Sequence, residues 1–371
     1  MSIWRSRKQH YEDNRKVITS GGVNCIPFPF ERFRQIFPGI QQSKYYGITG
    51  QQKSAKSQIC LYLFCLQPLW YAFNNPSKIS VKILYFSLEM GTEQLMDRIV
   101  GYWLYIITEG KVQLSTQNLN SLNSAIPEEV LRIMDTDEFK RFMDYIEDNL
   151  MIYNTIRNPT GIYKECVNFA LSRGKLSYKD YLYTDPITGE KETRKAVNSY
   201  IKDNPNEYHI LITDHISLLT PEKAFGGQLL NLRETITKFS NNDCLILRDL
   251  YKFSICNVQQ QNLESENIEH YKLDKMMPSA ANLGDSKNTV RDFNTLFGIY
   301  NPHKYKVNNY LGYDINKFKK NVRFLEIIEN REGEGNETVA LLFKGNVNFF
   351  EELPKPNDSA GLNTVMTKYN I

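Results

Sequence analysis

Tyr46-Gly-Ile-Thr-Gly50-Gln-Gln-Lys-Ser-Ala55-Lys56-Ser57 is the stretch on which the reading of this chain turns. A short apolar lead runs into it and a long helical pattern leaves it, the strand–loop–helix context that a phosphate-binding loop requires. Gly50 begins the turn, and Gln51, Gln52, Lys53, Ser54 and Ala55 carry it to the helix, whose first N–H groups point toward phosphate oxygens. In that geometry Lys56 reaches the β- and γ-phosphates of a nucleotide, and the Ser57 hydroxyl ligates Mg²⁺. The usual glycine before the lysine is Ala55 here. Its methyl group crowds the loop, or is accommodated if the backbone avoids the left-handed region. Taken alone, a chance Lys-Ser pair opening a helix explains the loop equally well.

Its neighbours decide between the two. Ile83-Leu-Tyr-Phe-Ser-Leu-Glu89-Met90 reads as a strand ending in an acid, directly before a helix pattern with Thr92 as its N-cap. In a parallel sheet the strand C-termini share one edge with the phosphate loop. Glu89 is therefore placed to polarise a water that attacks the γ-phosphate; the blander reading is a carboxylate favoured by the helix dipole. Tyr208-His-Ile-Leu-Ile-Thr-Asp214 is a second apolar strand ending in an acid, with the shape of a Walker B element that holds Mg²⁺ through water. His215 beside it reads as a packed neighbour, not a base. Three such elements in this order are not a chance pattern.

Working outward, further strand-length apolar runs lie at Phe253–Val258, Leu296–Tyr300, Phe324–Ile328 and Val339–Phe343. Helix patterns separate them, one from Thr160 to a C′ glycine at Gly174 and one from Leu229 to Phe239. Strand and helix in alternation predict an α/β fold, a mostly parallel twisted sheet flanked by helices. Three segments fall outside that rhythm. Residues 1–21 are polar and read as an arm. Residues 175–207 carry Asp185-Pro-Ile-Thr-Gly-Glu190, a turn between Tyr-rich flanks, and predict a surface hairpin. Residues 302–323 interleave Lys304, Lys306, Lys317, Lys319, Lys320 and Arg323 with Tyr305, Tyr310, Tyr313 and Phe318, and read as a solvated insertion.

Composition sets the outer bounds. Of 371 residues, 41% are hydrophobic, enough for a sizeable core and too many for wholesale disorder. Lys plus Arg is 45 against 42 for Asp plus Glu, so any grip on nucleic acid comes from a local patch and not from a global basic field. The longest apolar stretch, 59–73, is broken by Gln67 and Pro68 and is too short to span a bilayer. The charged N-terminus lacks the apolar block of a signal peptide. The six cysteines make no Cys-x-x-Cys pair and read as buried thiols. Glu264, Glu266 and Glu269 near His270 read as a solvated charged face.

Phe86-Ser-Leu-Glu-Met90, a helix, and later the Asp214 strand together resemble the ATPase domain of DnaB-type replicative helicases, from about Gly22 to Glu352. Pro38-Gly39 and Tyr46-Gly-Ile-Thr-Gly50 are similar to that family's approach to its phosphate loop. The resemblance implies a RecA-like P-loop fold over 22–355 with the two insertions, a C-terminal tail at 356–371, and a homo-oligomeric ring, a hexamer, on single-stranded DNA. It implies ATP and Mg²⁺ as cofactors, a primase or helicase loader as partner, and a cytoplasmic site, in a bacterial host if the chain is viral. Asn257-Val-Gln-Gln-Gln261 is similar to the segment with the γ-phosphate-sensing glutamine, Gln259 aligning best and Gln260 next. Leu283-Gly-Asp-Ser-Lys-Asn-Thr-Val-Arg-Asp292 resembles the loop that grips DNA phosphates, which implies DNA contacts from Ser286, Lys287, Asn288 and Arg291 beside a flexible Gly284. Glu329-Asn-Arg331-Glu-Gly333 resembles the arginine-finger segment, so that Arg331 enters a neighbour's site.

Several departures stand against this pattern. Ala55 replaces the loop glycine, Glu329 stands where the family has a second lysine, and Gly284 takes the place of an arginine. The arm at 1–21 has no room for the family's N-terminal helical domain. Together they suggest a divergent, single-domain version of the kind that bacterial viruses carry. Two functions are open at this point: a motor that hydrolyses ATP at subunit interfaces, and an ATP-binding ring or filament that grips DNA or a partner with little turnover. Ala55 and Glu329 favour the second; Glu89, Asp214, Gln259 and Arg331 together favour the first.

Overall fold

The structure, a computed structural model, describes residues 3–122, 124–224, 226–262 and 276–371. Its central sheet contains β1 (Tyr45–Gly50), β2 (Ser80–Ser87), β3 (Leu150–Tyr153), β4 (Glu207–Asp214), β5 (Phe253–Gln260), β6 (Thr295–Tyr300), β7 (Val322–Asn330), β8 (Thr338–Lys344) and β9 (Phe349–Glu352). Their order across the sheet is β9-β8-β7-β6-β1-β5-β4-β2-β3. From β6 to β3 every pairing is parallel; β7, β8 and β9 add an antiparallel extension on one side. All of β1 and β4 is buried, as expected of parallel strands covered on both faces. The expected α/β fold with a mostly parallel sheet is the observed one.

Helices bring two apolar layers to the sheet. On one face lie Ile59, Leu63 and Leu66 of the helix after the phosphate loop, with Leu95, Ile99 and Trp103 of α3 (Thr92–Ile107). Ile162, Cys166 and Ala170 of α4 (Pro159–Leu171) cover the other face with Ile236 of α5 (Leu232–Lys238). The helix after the loop, α2, runs from Lys56–Cys60 through a π-helical turn at Leu61–Leu66 into Gln67–Asn74. Pro68 does not end it: the proline stands at the start of the last segment, where its missing N–H is tolerated after the wider turn.

Some boundaries differ from the sequence reading. Gly91 and not Thr92 caps α3, α5 starts at Leu232 behind an Asn231–Glu234 capping box, and α4 ends before Gly174, which opens the hairpin instead. That hairpin pairs Gly174–Thr184 with Lys191–Lys202, and the Asp185 carboxylate accepts from the N–H groups of Ile187 (2.7 Å) and Thr188 (2.9 Å) to shape its turn. The N-terminal arm is an exposed helix, α1 (Ile3–Thr19).

Residues 302–323 are not a solvated insertion. Tyr313, Ile315 and Phe318 are buried in a third core cluster with Phe324, Ala340 and Leu342, and Arg323 belongs to β7 and is 5% exposed. Tyr313 and Phe318 are buried and Tyr305 and Tyr310 half-buried, while Lys306, Lys317, Lys319 and Lys320 are exposed, a division that a mixed Lys/Tyr composition does not reveal. The tail also packs: Val365 of α6 (Ser359–Tyr369) joins the same cluster. All six cysteines are free thiols, five of them buried. No helix among the described residues is long and apolar enough to cross a membrane. The Glu264, Glu266, Glu269 and His270 group lies outside the described residues.

Candidate nucleotide site

Parallel strands place their C-terminal ends on one edge, and the candidate groups gather there. The β1–α2 loop follows Gly50, whose missing Cβ is required: one built there would stand 2.6 Å from both the Ile299 carbonyl oxygen and Ser54 Oγ. Ala55 does adopt the left-handed conformation, φ +82°, ψ 31°. The sequence left that point open, and the loop retains the strain, about 1–2 kcal/mol for an L-residue with a Cβ.

Lys56 is 9% exposed and its ammonium donates to the Gln51 carbonyl at 2.9 Å. The Ser57 hydroxyl donates to Asp214 Oδ1 at 2.9 Å, and the Tyr85 hydroxyl donates to Oδ2 at 3.0 Å. Asp214 is fully buried; that burial pushes its carboxyl above the usual range, against the Ser57 hydrogen bond and the His215 ring that pull it down. A buried carboxylate beside a serine hydroxyl is a pair of hard oxygen donors, the set that suits Mg²⁺ bound through few protein ligands and a phosphate. The residues present therefore fit the metal.

Lys56 and Ser57 border a cleft of about 670 Å³, inside the roughly 300–1,000 Å³ range of ligand sites, with Asp214 buried behind Ser57. Lys53, Lys56, Arg98 and Arg323 supply its cations and Glu89 its carboxylate. The Glu89 side chain is 56% exposed, with Oε2 4.0 Å from His215 Nε2. Burial lowers the His215 pKa, so the ring is held toward its neutral form, although Asp214 and Glu89 pull the other way. A cleft with this charge balance favours a polyanion and leaves one carboxylate toward solvent.

Of the two candidate glutamines, Gln260 and not Gln259 faces the cleft. Side chains alternate along a strand, and Cys256 and Val258 of β5 face the α2 layer while Phe253 and Ile255 face the other. Gln260 shares the first face and lines the cleft, opposite Gly50 in register. Gln259 lies on the wrong face: its amide donates to the carbonyls of Gly284 (2.6 Å) and Ser286 (2.9 Å), and its oxygen accepts from Thr289 (2.7 Å). It holds the 283–292 loop in place.

That loop is tighter than the sequence suggested. Gly284 is not a flexible point; a Cβ there would stand 2.8 Å from the Gln260 carbonyl oxygen, so glycine permits a close approach. Ser286 is 1% exposed and hydrogen-bonds Thr237 Oγ1 at 2.9 Å, which removes it from any DNA surface. Lys287, Asn288 and Arg291 are exposed.

Arg331 sits elsewhere. It follows β7, which runs antiparallel to β6, so it lies at the edge opposite the cleft, beside Thr295 and Asn294. Its guanidinium donates to the Arg291 carbonyl. Arg323, eight residues earlier on β7 and about 26 Å away along a strand, is at the cleft edge. Arg331 cannot serve its own cleft. The sequence reading also passed over Gln94 and Arg98, although their i, i+4 spacing on α3 puts them on one face. Arg323, whose pKa burial lowers to about 9, reads from composition as one more surface cation.

No family model and no curated protein matches this sequence. Among solved structures, an ATPase domain superposes with a TM-score of 0.63 and 16% identity over 95% of this chain and 99% of that one. A DnaB-like replicative helicase, solved to describe its interactions with primase, superposes with a TM-score of 0.63 and 16% identity over 94% of this chain and 66% of that one. The chain has the RecA-like fold of the ATPase domains of DnaB-like replicative helicases.

Proposed function

We propose that this chain is an ATP-dependent DNA helicase of the DnaB type, which moves along single-stranded DNA as a ring, a hexamer, during replication. The observation that carries the reading is the hydrogen bond between Ser57 and Asp214 at the floor of a cleft that also presents Lys56, Glu89 and Gln260. In this reading Ser57 and Asp214 hold Mg²⁺, Lys56 leaves the Gln51 carbonyl to meet the β- and γ-phosphates, and Gln260 senses the γ-phosphate. Bound Mg²⁺ would neutralise phosphate charge. Residues 22–355 form the motor, with 1–21 as an arm and 356–371 as a tail. A primase or a loader is the expected partner, and the cytoplasm of a bacterial host the expected place if the protein is viral.

Lys56→Ala tests the reading at its base. The variant should stay folded, by circular dichroism, and lose binding of a fluorescent ATP analogue in the presence of Mg²⁺. Unchanged affinity would remove the phosphate-loop assignment. Mass measured by light scattering, with and without a non-hydrolysable ATP analogue and single-stranded DNA, together with an ATPase assay, tests the ring. The strained Ala55 favours a second reading, an ATP-bound ring or filament with little turnover; an assembled protein that binds nucleotide without hydrolysing it would select that one.

Lys287, Asn288 and Arg291 are the proposed DNA contacts. Each copy offers two cations, so binding should be weak for a monomer and strong for a ring that repeats them. Affinity for single strands should be sequence-tolerant and fall with salt, with a log–log slope of about −0.7 per phosphate neutralised. Lys287→Ala should flatten that slope without touching nucleotide binding. An unchanged slope in an assembled variant would exclude Lys287 as a phosphate contact.

A further inference from the structure

The loop that the nucleotide reading depends on is unusual in its own backbone. Two of its residues, Lys53 at φ +61° and Ala55 at φ +82°, hold left-handed conformations with a Cβ in place. A loop with that strain keeps its shape only when its surroundings impose it. The restraints are visible at its carbonyls. Those of Gln51, Gln52, Lys53 and Ser54 accept in turn from Lys56 Nζ (2.9 Å), Lys304 Nζ (3.0 Å), Asn301 Nδ2 (3.2 Å) and Arg323 Nε (3.0 Å). Four consecutive carbonyls are each taken by a side chain, and three of those side chains come from one distant segment.

We infer that residues 301–323 are a brace that fixes the phosphate loop in its binding shape, with Asn301, Lys304 and Arg323 as positioning residues for the nucleotide. The peptide unit is planar, so a carbonyl pinned outward turns the next N–H inward. Pinning Gln52 and Ser54 in this way aims the N–H groups of Lys53 and Ala55 into the loop, where phosphate oxygens would sit. The brace is itself anchored. Arg323 also donates to the carbonyls of Lys320 (2.9 Å) and Val322 (2.7 Å), and its guanidinium lies 4.5 Å from the Phe343 ring centre. Tyr313, Ile315 and Phe318 bury the segment between these points in the third core cluster. The brace accounts for the tolerance of an alanine where the turn calls for glycine: the loop is held from outside.

The consequence for ligand affinity rests on the nucleotide reading; the restraint on the loop does not, and the two separate experimentally. Lys304→Ala acts at the rim and Asn301→Ala at a residue 8% exposed, and the double variant is the main probe; Arg323→Gln is secondary, with Arg323→Lys as its conservative partner. Two readouts are taken on the full chain: binding of a fluorescent ATP analogue with Mg²⁺, and amide hydrogen exchange of residues 52–56 without nucleotide. The double variant should bind about tenfold more weakly, the scale of losing charge-assisted hydrogen bonds, with faster exchange in the loop and an unchanged melting temperature. The loss should appear in KM and not in kcat. Ala55→Gly added to it should restore part of the affinity, because the freed loop no longer works against the alanine. Unchanged exchange with weakened binding would make these side chains direct nucleotide contacts and overturn the brace, as would no change in either readout. Faster exchange in variants of a parent that binds no nucleotide would retain the brace and remove the nucleotide reading.

Discussion

Arg331→Ala should assemble and bind nucleotide as the parent does, yet hydrolyse it about a thousandfold or more slowly, the range by which an arginine finger stabilises transition-state charge. The argument is geometric. Arg331 is at the N-terminal edge of the parallel strands and the cleft is at their C-terminal edge, so Arg331 can reach a cleft only if that cleft belongs to another copy. In the single chain its guanidinium donates to the Arg291 carbonyl, a contact that the proposed assembly would exchange for a phosphate. Mixing Arg331→Ala with Lys56→Ala should therefore restore part of the turnover, at interfaces where one copy supplies the loop and the other the arginine. Single-turnover hydrolysis of labelled ATP against mixing ratio measures this. A fully active monomer would end the shared-site idea. Glu329, two residues before Arg331, adds a negative charge at that edge and should make the finger weaker than an isolated arginine.

Much of this arrangement is legible in the sequence because its parts are local. Gly50, Lys56 and Ser57 fall within eight consecutive residues, and Glu89 and Asp214 each end an apolar run, so strand geometry alone carries them to one edge. Parity within a buried strand is not legible in the same way. β5 is buried on both faces, with a polar residue on each (Ser254 and Asn257), so Phe253–Val258 gives no alternation by which to tell Gln259 from Gln260. Arg323 escaped for another reason: it closes a Lys/Tyr-rich stretch whose composition signals solvent, while its burial depends on Phe343 and on a loop 269 residues earlier in the chain. Ser286 failed as a DNA contact for a like cause, since only the tertiary partner Thr237 distinguishes a buried serine from an exposed one. The left-handed state of Ala55 belongs to the same class. Nothing local favours it, and the restraints that impose it lie far along the chain.

Glu89→Gln isolates the chemical step. The amide keeps the size of the carboxylate and its capacity to hydrogen-bond, but cannot take a proton from water or polarise it as strongly. Turnover should fall by about a hundredfold or more, the scale of removing a general base, while affinity for the ATP analogue is kept. The structure gives the reason for expecting that split. Glu89 lines the cleft with its side chain 56% exposed, and its Oε2 comes within 4.0 Å of the His215 ring. The groups proposed to bind, Lys56, Ser57 and Asp214, are tied to one another and to Gln51 and Tyr85 without it. Removing the Glu89 charge therefore leaves the phosphate and metal groups where they are. Its neighbour in sequence is also fixed independently, because the Leu88 N–H donates to the Asp214 carbonyl at 2.8 Å. A carboxylate that served the α3 start would behave otherwise: its loss would lower melting temperature and affinity together, since α3 carries Gln94 and Arg98 into the same cleft. Steady-state kinetics, analogue binding and a thermal melt on one preparation tell the two apart, and a parallel loss of kcat and affinity would return Glu89 to a structural role.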